Sequence, residues 1–211
     1  MNSTPEPVVA IVRIPTPRFA PQWLVRRKMR ATIDTYAHIP GLAFKIFTIE
    51  MASGDFGGIY YWTDRGAAKS WFDEAWFERI RRERGSEPNV RILRAPLSID
   101  NVTGGTPFST DRQRVATLVE IPIPPGITDD LLHAGFAAAE AEYREVPGLL
   151  RKYFIINGDK GTFGGVYLWD RQASANAWFD ATWVSRVKER YGNPAVIENF
   201  TAPIVLPTRQ L

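Results

Sequence analysis

The chain repeats itself. Pro40-Gly41-Leu42, Lys45, Phe47, Phe56-Gly57-Gly58, Tyr60, Trp62, Trp71-Phe72-Asp73, Trp76, Arg79, Gly85 and Ala95-Pro96 return as Pro147-Gly148-Leu149, Lys152, Phe154, Phe163-Gly164-Gly165, Tyr167, Trp169, Trp178-Phe179-Asp180, Trp183, Arg186, Gly192 and Ala202-Pro203. Every pair is 107 positions apart, as from Pro40 to Pro147, with no gap. Val8, Val12 and Ile14-Pro15 match Val115, Val119 and Ile121-Pro122 at the same offset. A gapless repeat of this length predicts two like modules, packed about a pseudo-two-fold axis.

Each module reads as β-α-β-β-α-β. Val8 to Ile14 is apolar and β-branched, which predicts a strand ended by Pro15 and Pro17. Pro21 suits the first turn of a helix reaching about His38, and Thr128 is an N-cap for its counterpart. Pro-Gly stops each helix. Leu42 to Glu50 and Phe56 to Thr63 read as a hairpin, turned at Ser53-Gly54-Asp55 and, in the second copy, at Asp159-Lys160-Gly161. Thr63 or Asp64 caps a second helix to about Gly85, and Val90 to Ala95 is the last strand. This is the ferredoxin-like order, of class α+β. The expected units span 6–97 and 113–204, joined by a linker over 98–112. The first strand is apolar on both faces, so both faces are covered. Helices take one, and the sheet of the other copy most simply takes the other.

Composition removes several classes. There is no Cys, so disulfides, thiolate metal sites and Cys nucleophiles are absent. The two His residues, His38 and His133, lack metal spacing. No run reaches the ~18 apolar residues of a membrane helix. Met1 to Pro7 is polar, so no signal peptide, no membrane partner and a cytoplasmic location are expected. Residues 1–107 carry 15 Lys+Arg against 11 Asp+Glu, and residues 108–211 carry 11 against 12. The basic run Arg26-Arg27-Lys28-Met29-Arg30 becomes His133-Ala134-Gly135-Phe136-Ala137, so a function shared by both halves does not need it. A solvated helix face explains that run better than a nucleic-acid patch. Two positions change sign between copies: Arg13 becomes Glu120, and Arg91 becomes Glu198. That fits either a fused pair relieved of like-charge repulsion or surface drift.

The aromatic set has two readings. Tyr60 and Trp62 alternate on one strand face, and Phe72 and Trp76 are i, i+4 on a helix. With Trp71, and with Tyr167, Trp169, Trp178, Phe179 and Trp183 in the second copy, they form either plain core or the lining of a cavity for a flat apolar ligand. Lys45 and Lys152 interrupt apolar strands, with Phe47 and Phe154 two residues on. Each lysine either snorkels at a sheet edge or holds an enolate or phenolate oxygen. Asp73 and Asp180 are helix-surface acids or bases beside the aromatics. His133 is a surface residue or part of the second pocket's rim. The Phe-Gly-Gly repeats lack the context of a phosphate loop, and close hairpin packing explains them.

The run Pro-Gly-Leu, Lys, Phe, Phe-Gly-Gly-Ile/Val-Tyr-x-Trp, Trp-Phe-Asp and Trp resembles the YdhR-type monooxygenases. These belong to the dimeric α+β barrel superfamily, alongside the antibiotic-biosynthesis monooxygenases. The resemblance covers nearly all of each half. It implies ferredoxin-like units paired sheet to sheet into a barrel, here within one chain, and a cavity between sheet and helices. The Asn-Trp-His set of haem-degrading relatives has no clean match. The implied activity is cofactor-independent oxygenation of an electron-rich aromatic, hydroquinone or polyketide-like molecule. Such a reaction needs a dry pocket, a base and a donor for the substrate anion. Lys45, Trp62, Asp73, Lys152, Trp169 and Asp180 are the expected catalytic set. The expected partners are the aromatic substrate and O₂, with the protein a monomer or a weak homodimer. A binding module for aromatic metabolites, or a lyase, isomerase or cyclase, would use the same pocket. The two pockets need not match, because Arg26, Arg27 and Arg30 could rim the first while His133, Ala134 and Ala137 leave the second more open.

Overall fold

The computed structural model describes residues 6–16 and 21–208. Pro17, one of the two expected strand terminators, and most of the polar start, Met1 to Pro5, lie outside the described residues. The fold is α+β, with eight strands among the described residues.

The chain divides into two compact units. Of the described residues, the first comprises 6–16, 21–92, 107–112 and 200–208. Its elements are β1 (Val8–Ile14), α1 (Gln22–Ala31), α2 (Ile33–Ala37), β2 (Leu42–Glu50), β3 (Phe56–Trp62), α3 (Arg65–Trp71) and α4 (Glu74–Arg84). The start of β4 (Asn89–Asp100) also belongs to it. Strand β3 pairs antiparallel with β1 on one side and β2 on the other. The outer edge of β2 is taken by residues 200–207, the end of the last strand of the chain.

The second unit comprises residues 93–106 and 113–199. It holds β5 (Val115–Pro122), α5 (Asp129–Arg144), β6 (Leu149–Asn157), β7 (Thr162–Trp169), α6 (Gln172–Trp178), α7 (Ala181–Tyr191) and the start of β8 (Val196–Pro207). Here β7 lies between β5 and β6, and the end of β4 pairs with β6 from Arg94 to Asp100. In both units the strand beside β2 or β6 thus comes from outside that unit's main stretch of sequence. The strand expected over Val90 to Ala95 continues through Pro96 to Asp100. A proline is tolerated there because the ladder shifts register between Arg94 and Leu97.

Helices differ from expectation in two places. The first helix of unit one breaks at Thr32, whose hydroxyl bonds back to the Met29 carbonyl, whereas α5 runs unbroken. The second helix breaks in both units after Trp-Phe. Asp73 and Asp180 then start a new helix, accepting from the backbone N–H of Trp76 at 2.8 Å and of Trp183 at 2.7 Å. Such a side-chain cap competes with helix continuation and contributes about 1 kcal/mol. Asp64 and Thr128 cap α3 and α5 as expected.

The helix-facing side of each sheet is the main core. In unit one Val8, Ala10, Val12, Tyr60 and Trp62 meet Ala68, Phe72, Trp76 and Ile80. In unit two Val115, Val119, Tyr167 and Trp169 meet Ala175, Trp183 and Val187. The opposite face is buried as well, with Val9, Ile11, Ile46 and Ile59 almost inaccessible. One sign change has a local explanation. Arg13 lies 3.9 Å from Glu50. Glu120 instead accepts from Asn157, the counterpart of Glu50, and from Thr162.

The first glycine of each Phe-Gly-Gly is a packing requirement. A Cβ on Gly57 or Gly164 would fall on the Val12 or Val119 carbonyl oxygen of the paired strand. Gly164→Ala and Gly57→Ala should each cost about 1–3 kcal/mol through overpacking. Gly135 lies in the interior of α5 with open space around its Cβ position. Gly135→Leu should instead gain about 0.5–1 kcal/mol. Urea unfolding midpoints of the three variants would read both signs.

Candidate active site

A register shift sets the site in each unit. Strand β2 bulges between Leu42 and Phe44, and β6 between Leu149 and Arg151. After the bulge Lys45 lies directly across from Tyr60, and Lys152 across from Tyr167. Directly opposed residues share a face and touch. Two residues on, Phe47 and Phe154 oppose the glycines Gly58 and Gly165. These second glycines make room for the lysine–tyrosine pair. A Cβ on Gly165 would come within 2.9 Å of the Tyr167 ring and 3.1 Å of the Lys152 stem. Gly58 shows 3.1 and 3.3 Å to the same atoms of Tyr60 and Lys45.

Both lysines are buried, not snorkelling. Lys45 is 1% exposed and Lys152 2%. The Lys45 amine lies 2.8 Å from the centroid of the Tyr36 ring, 4.1 Å from that of Phe47 and 4.2 Å from that of Tyr60. The Lys152 amine lies 2.9 Å from the Tyr143 centroid, 3.9 Å from Phe154 and 4.6 Å from Tyr167. Ring faces favour an ammonium by about 2 kcal/mol when desolvated. Stripping its water costs several kcal/mol. Desolvation wins, and burial holds both lysines well below the ordinary lysine pKa. Glu142 opposes that shift at Lys152 as the smaller influence. Burial likewise raises the Tyr60 and Tyr167 hydroxyls well above their ordinary pKa. In each unit burial thus favours the uncharged amine and the uncharged phenols.

Tyr36 and Tyr143 complete each cluster and were not singled out from the sequence, although they repeat at the same offset of 107. Tyr36 packs edge-on against Phe47, Tyr60 and Trp71. Tyr143 does the same for Phe154 and tilts against Tyr167 and Trp178.

The units differ in two respects. Lys45 donates to the Tyr60 hydroxyl at 2.8 Å. Lys152 has no hydrogen-bond partner among the described residues, and the Tyr167 hydroxyl reaches that of Tyr143 at 3.5 Å. The cavities also differ. The one at Lys45 measures about 150 Å³, and the one at Lys152 about 740 Å³. Only the second falls within the ~300–1,000 Å³ of small-molecule sites. Lys28 and Thr32 line the small cavity where Gly135 and Ala139 line the large one. The exposed arginines Arg27 and Arg30 are not part of the difference.

Other expected site residues lie elsewhere. Of that set, Tyr60, Phe47 and Trp76 line the small cavity with Lys45. Phe154, Tyr167, Trp178 and Trp183 line the large one with Lys152. Trp62 and Trp169 are fully buried, stacked on Tyr60 and on Tyr167 within their own units. Phe72 and Phe179 stand edge-on to them. Trp71 packs on Tyr36 outside the small cavity. Asp73 and Asp180 are exposed helix caps, with their carboxylates engaged by backbone N–H groups. His133 is exposed on α5, 3.7 Å from Asp129, which Arg94 also grips with both of its terminal nitrogens. Among the described residues no group of three or more His, Cys, Asp or Glu side chains converges as a metal site requires. No described helix is long and apolar enough to cross a membrane.

No protein-family model matches the chain, and no curated protein sequence does. Solved structures do. A candidate monooxygenase of Fusobacterium nucleatum is similar with a TM-score of 0.72 at 9% identity, over 99% of this chain and 98% of that one. An anthrone oxidase-like protein gives 0.61 at 13%, over 100% and 96%. A ferredoxin-fold protein of Listeria monocytogenes related to antibiotic biosynthesis monooxygenases gives 0.51 at 11%, over 95% and 96%. Likeness at such identities establishes the fold: this chain has the ferredoxin-like α+β architecture of those proteins.

The buried lysines give stability a distinctive pH dependence. Each binds a proton more readily unfolded than folded. Stability should therefore rise as pH climbs toward about 10.4, by up to ~1.4 kcal/mol per pH unit for each lysine. Above about pH 10 the buried tyrosines, ionising only when unfolded, should reverse the trend. Urea midpoints at pH 7, 8 and 9 should climb for the native chain, and less steeply for Lys45→Met or Lys152→Met.

Proposed function

We propose that the cavity of the second unit oxygenates an electron-rich aromatic such as an anthrone, hydroquinone or polyketide-like ring with O₂ alone. The observation that carries this reading is the buried Lys152 amine, without a hydrogen-bond partner among the described residues, facing a largely apolar cavity of about 740 Å³ beside Tyr143 and Tyr167. Lys152 takes a proton from the bound substrate and becomes an ammonium beside the oxygen that gains charge. The Tyr143 and Tyr167 hydroxyls stand by as donors to that oxyanion. The rings of Phe136, Phe154 and Trp183 exclude water.

For a ring CH₂ the steps balance without a further reductant. The carbanion transfers one electron to O₂, and the radical pair joins as a C–O–OH group. Loss of water then breaks the remaining C–H and the O–O bond, leaving C=O. Four electrons leave the carbon and four reach O₂. The likeness to an anthrone oxidase-like structure supports the substrate class at the level of fold. The assignment of Lys152 as the base replaces Asp180, whose carboxylate caps a helix. In this reading the chain is a tandem duplication of a YdhR-like unit in which the second copy keeps the working cavity.

Oxygen uptake with anthrone or a naphthohydroquinone tests it. Uptake above the uncatalysed rate should fall by about 10²–10⁴-fold in Lys152→Met, the usual contribution of a general base. In Lys45→Met it should persist. Equal loss in both variants, or uptake indifferent to Lys152, would overturn the reading.

A further inference from the structure

We infer that Lys152 is a covalent carbonyl-capture site, forming an imine with flat apolar aldehydes that enter the cavity of the second unit. Three features of geometry point there. The amine lines the larger cavity, so a carbonyl carbon can reach it. It makes no hydrogen bond among the described residues, so its lone pair is not tied up. The walls that hold it, Tyr143, Phe154 and Tyr167, are aromatic and would stack a flat ring beside it.

Lys45 is the internal control. It has the same strand position, the same three-ring cage and the same burial. Yet its amine is bonded to Tyr60, and its cavity is about 150 Å³, too small for a bicyclic ring. Burial lowers both lysines, which supplies the unprotonated amine but does not distinguish them.

The chemistry needs no oxidant or reductant. The Nζ lone pair adds to the carbonyl carbon, forming C–N while the C=O π pair moves to oxygen. Proton transfer from nitrogen to that oxygen gives the carbinolamine. A Tyr143 or Tyr167 hydroxyl can give its proton to the departing oxygen as the nitrogen lone pair forms C=N and the C–O bond breaks; water leaves, and the remaining N–H proton returns to the tyrosinate to give the imine. A lysine desolvated in an apolar pocket is the known setting for such nucleophilic reactivity. The inference stands apart from oxygenation: imine formation requires neither O₂ nor an acidic substrate.

The test is reductive trapping. The full chain is incubated with 2-naphthaldehyde and sodium cyanoborohydride at neutral pH without oxygen, then mapped by peptide mass spectrometry. Lys152 should be labelled at least about tenfold faster than the exposed Lys28, Lys69, Lys160 or Lys188, which have no aromatic-walled cavity large enough to hold the aldehyde ring beside the amine. Lys45 should stay unlabelled until the protein is unfolded. Labelling should fall in Gly135→Leu, which narrows the cavity and leaves the lysine in place. That variant keeps the inference testable if Lys152→Met fails to fold. Labelling at Lys152 no faster than at the surface lysines, or equal at Lys45, would overturn the inference. Oxygen uptake measured separately on the same preparation distinguishes its failure from that of the proposed function.

Discussion

A lysine amine enclosed by three aromatic rings is the constraint on which each unit is arranged. The strand places it, the bulge sets it opposite a tyrosine, and the second glycine of Phe-Gly-Gly clears space for its stem. Such a group is costly to bury charged, and ring faces return only part of the lost hydration. Burial shifts the balance toward the uncharged amine. It shifts the neighbouring tyrosines toward the uncharged phenol as well, which leaves proton acceptor and proton donors side by side. The fixed charges stand in the cavity walls, at Glu83 and Arg84 in the first unit and at Glu142, Arg186, Glu189 and Arg190 in the second.

The units share this core and differ around it. At offset 107, Lys28 faces Gly135 and Thr32 faces Ala139. These exchanges of larger for smaller side chains accompany a change from a cramped cavity to one the size of a ligand site. The helix over it also changes, from α1 and α2 broken at Thr32 to the unbroken α5. In the first unit the lysine closes on Tyr60. In the second the corresponding amine is left facing open space. The same cage thus closes on Tyr60 in one unit and opens on a cavity in the other.

Much of this was legible in the sequence, because the repeat carries no gap and its strands are β-branched. The α+β class, the order of elements and the lysine–phenylalanine–tyrosine pattern follow from that. Three features were not legible. The helix break at Asp73 and Asp180 hides inside continuous helical periodicity, since Phe72 and Trp76 keep i, i+4 spacing across a cap. The last strand of the first copy was read as ending at Ala95, before Pro96, yet irregular pairing lets β4 run past that proline. Tyr36 and Tyr143 were visible as a repeated pair, but only the fold shows them capping the lysines. The difference between the two first helices was evident, although its weight falls on Lys28 and Thr32 and not on the arginines beside them.

The central claim is that burial disfavours the charged form of both strand lysines in the folded protein, and their Cε–Hε resonances in chain labelled with ¹³C-lysine read this directly. Lys45 and Lys152 should reach the shifts of an uncharged amine at lower pH in the folded chain than in the urea-unfolded chain. Resonances of Lys45 and Lys152 that titrate no lower in the folded chain than in the unfolded one would contradict the account.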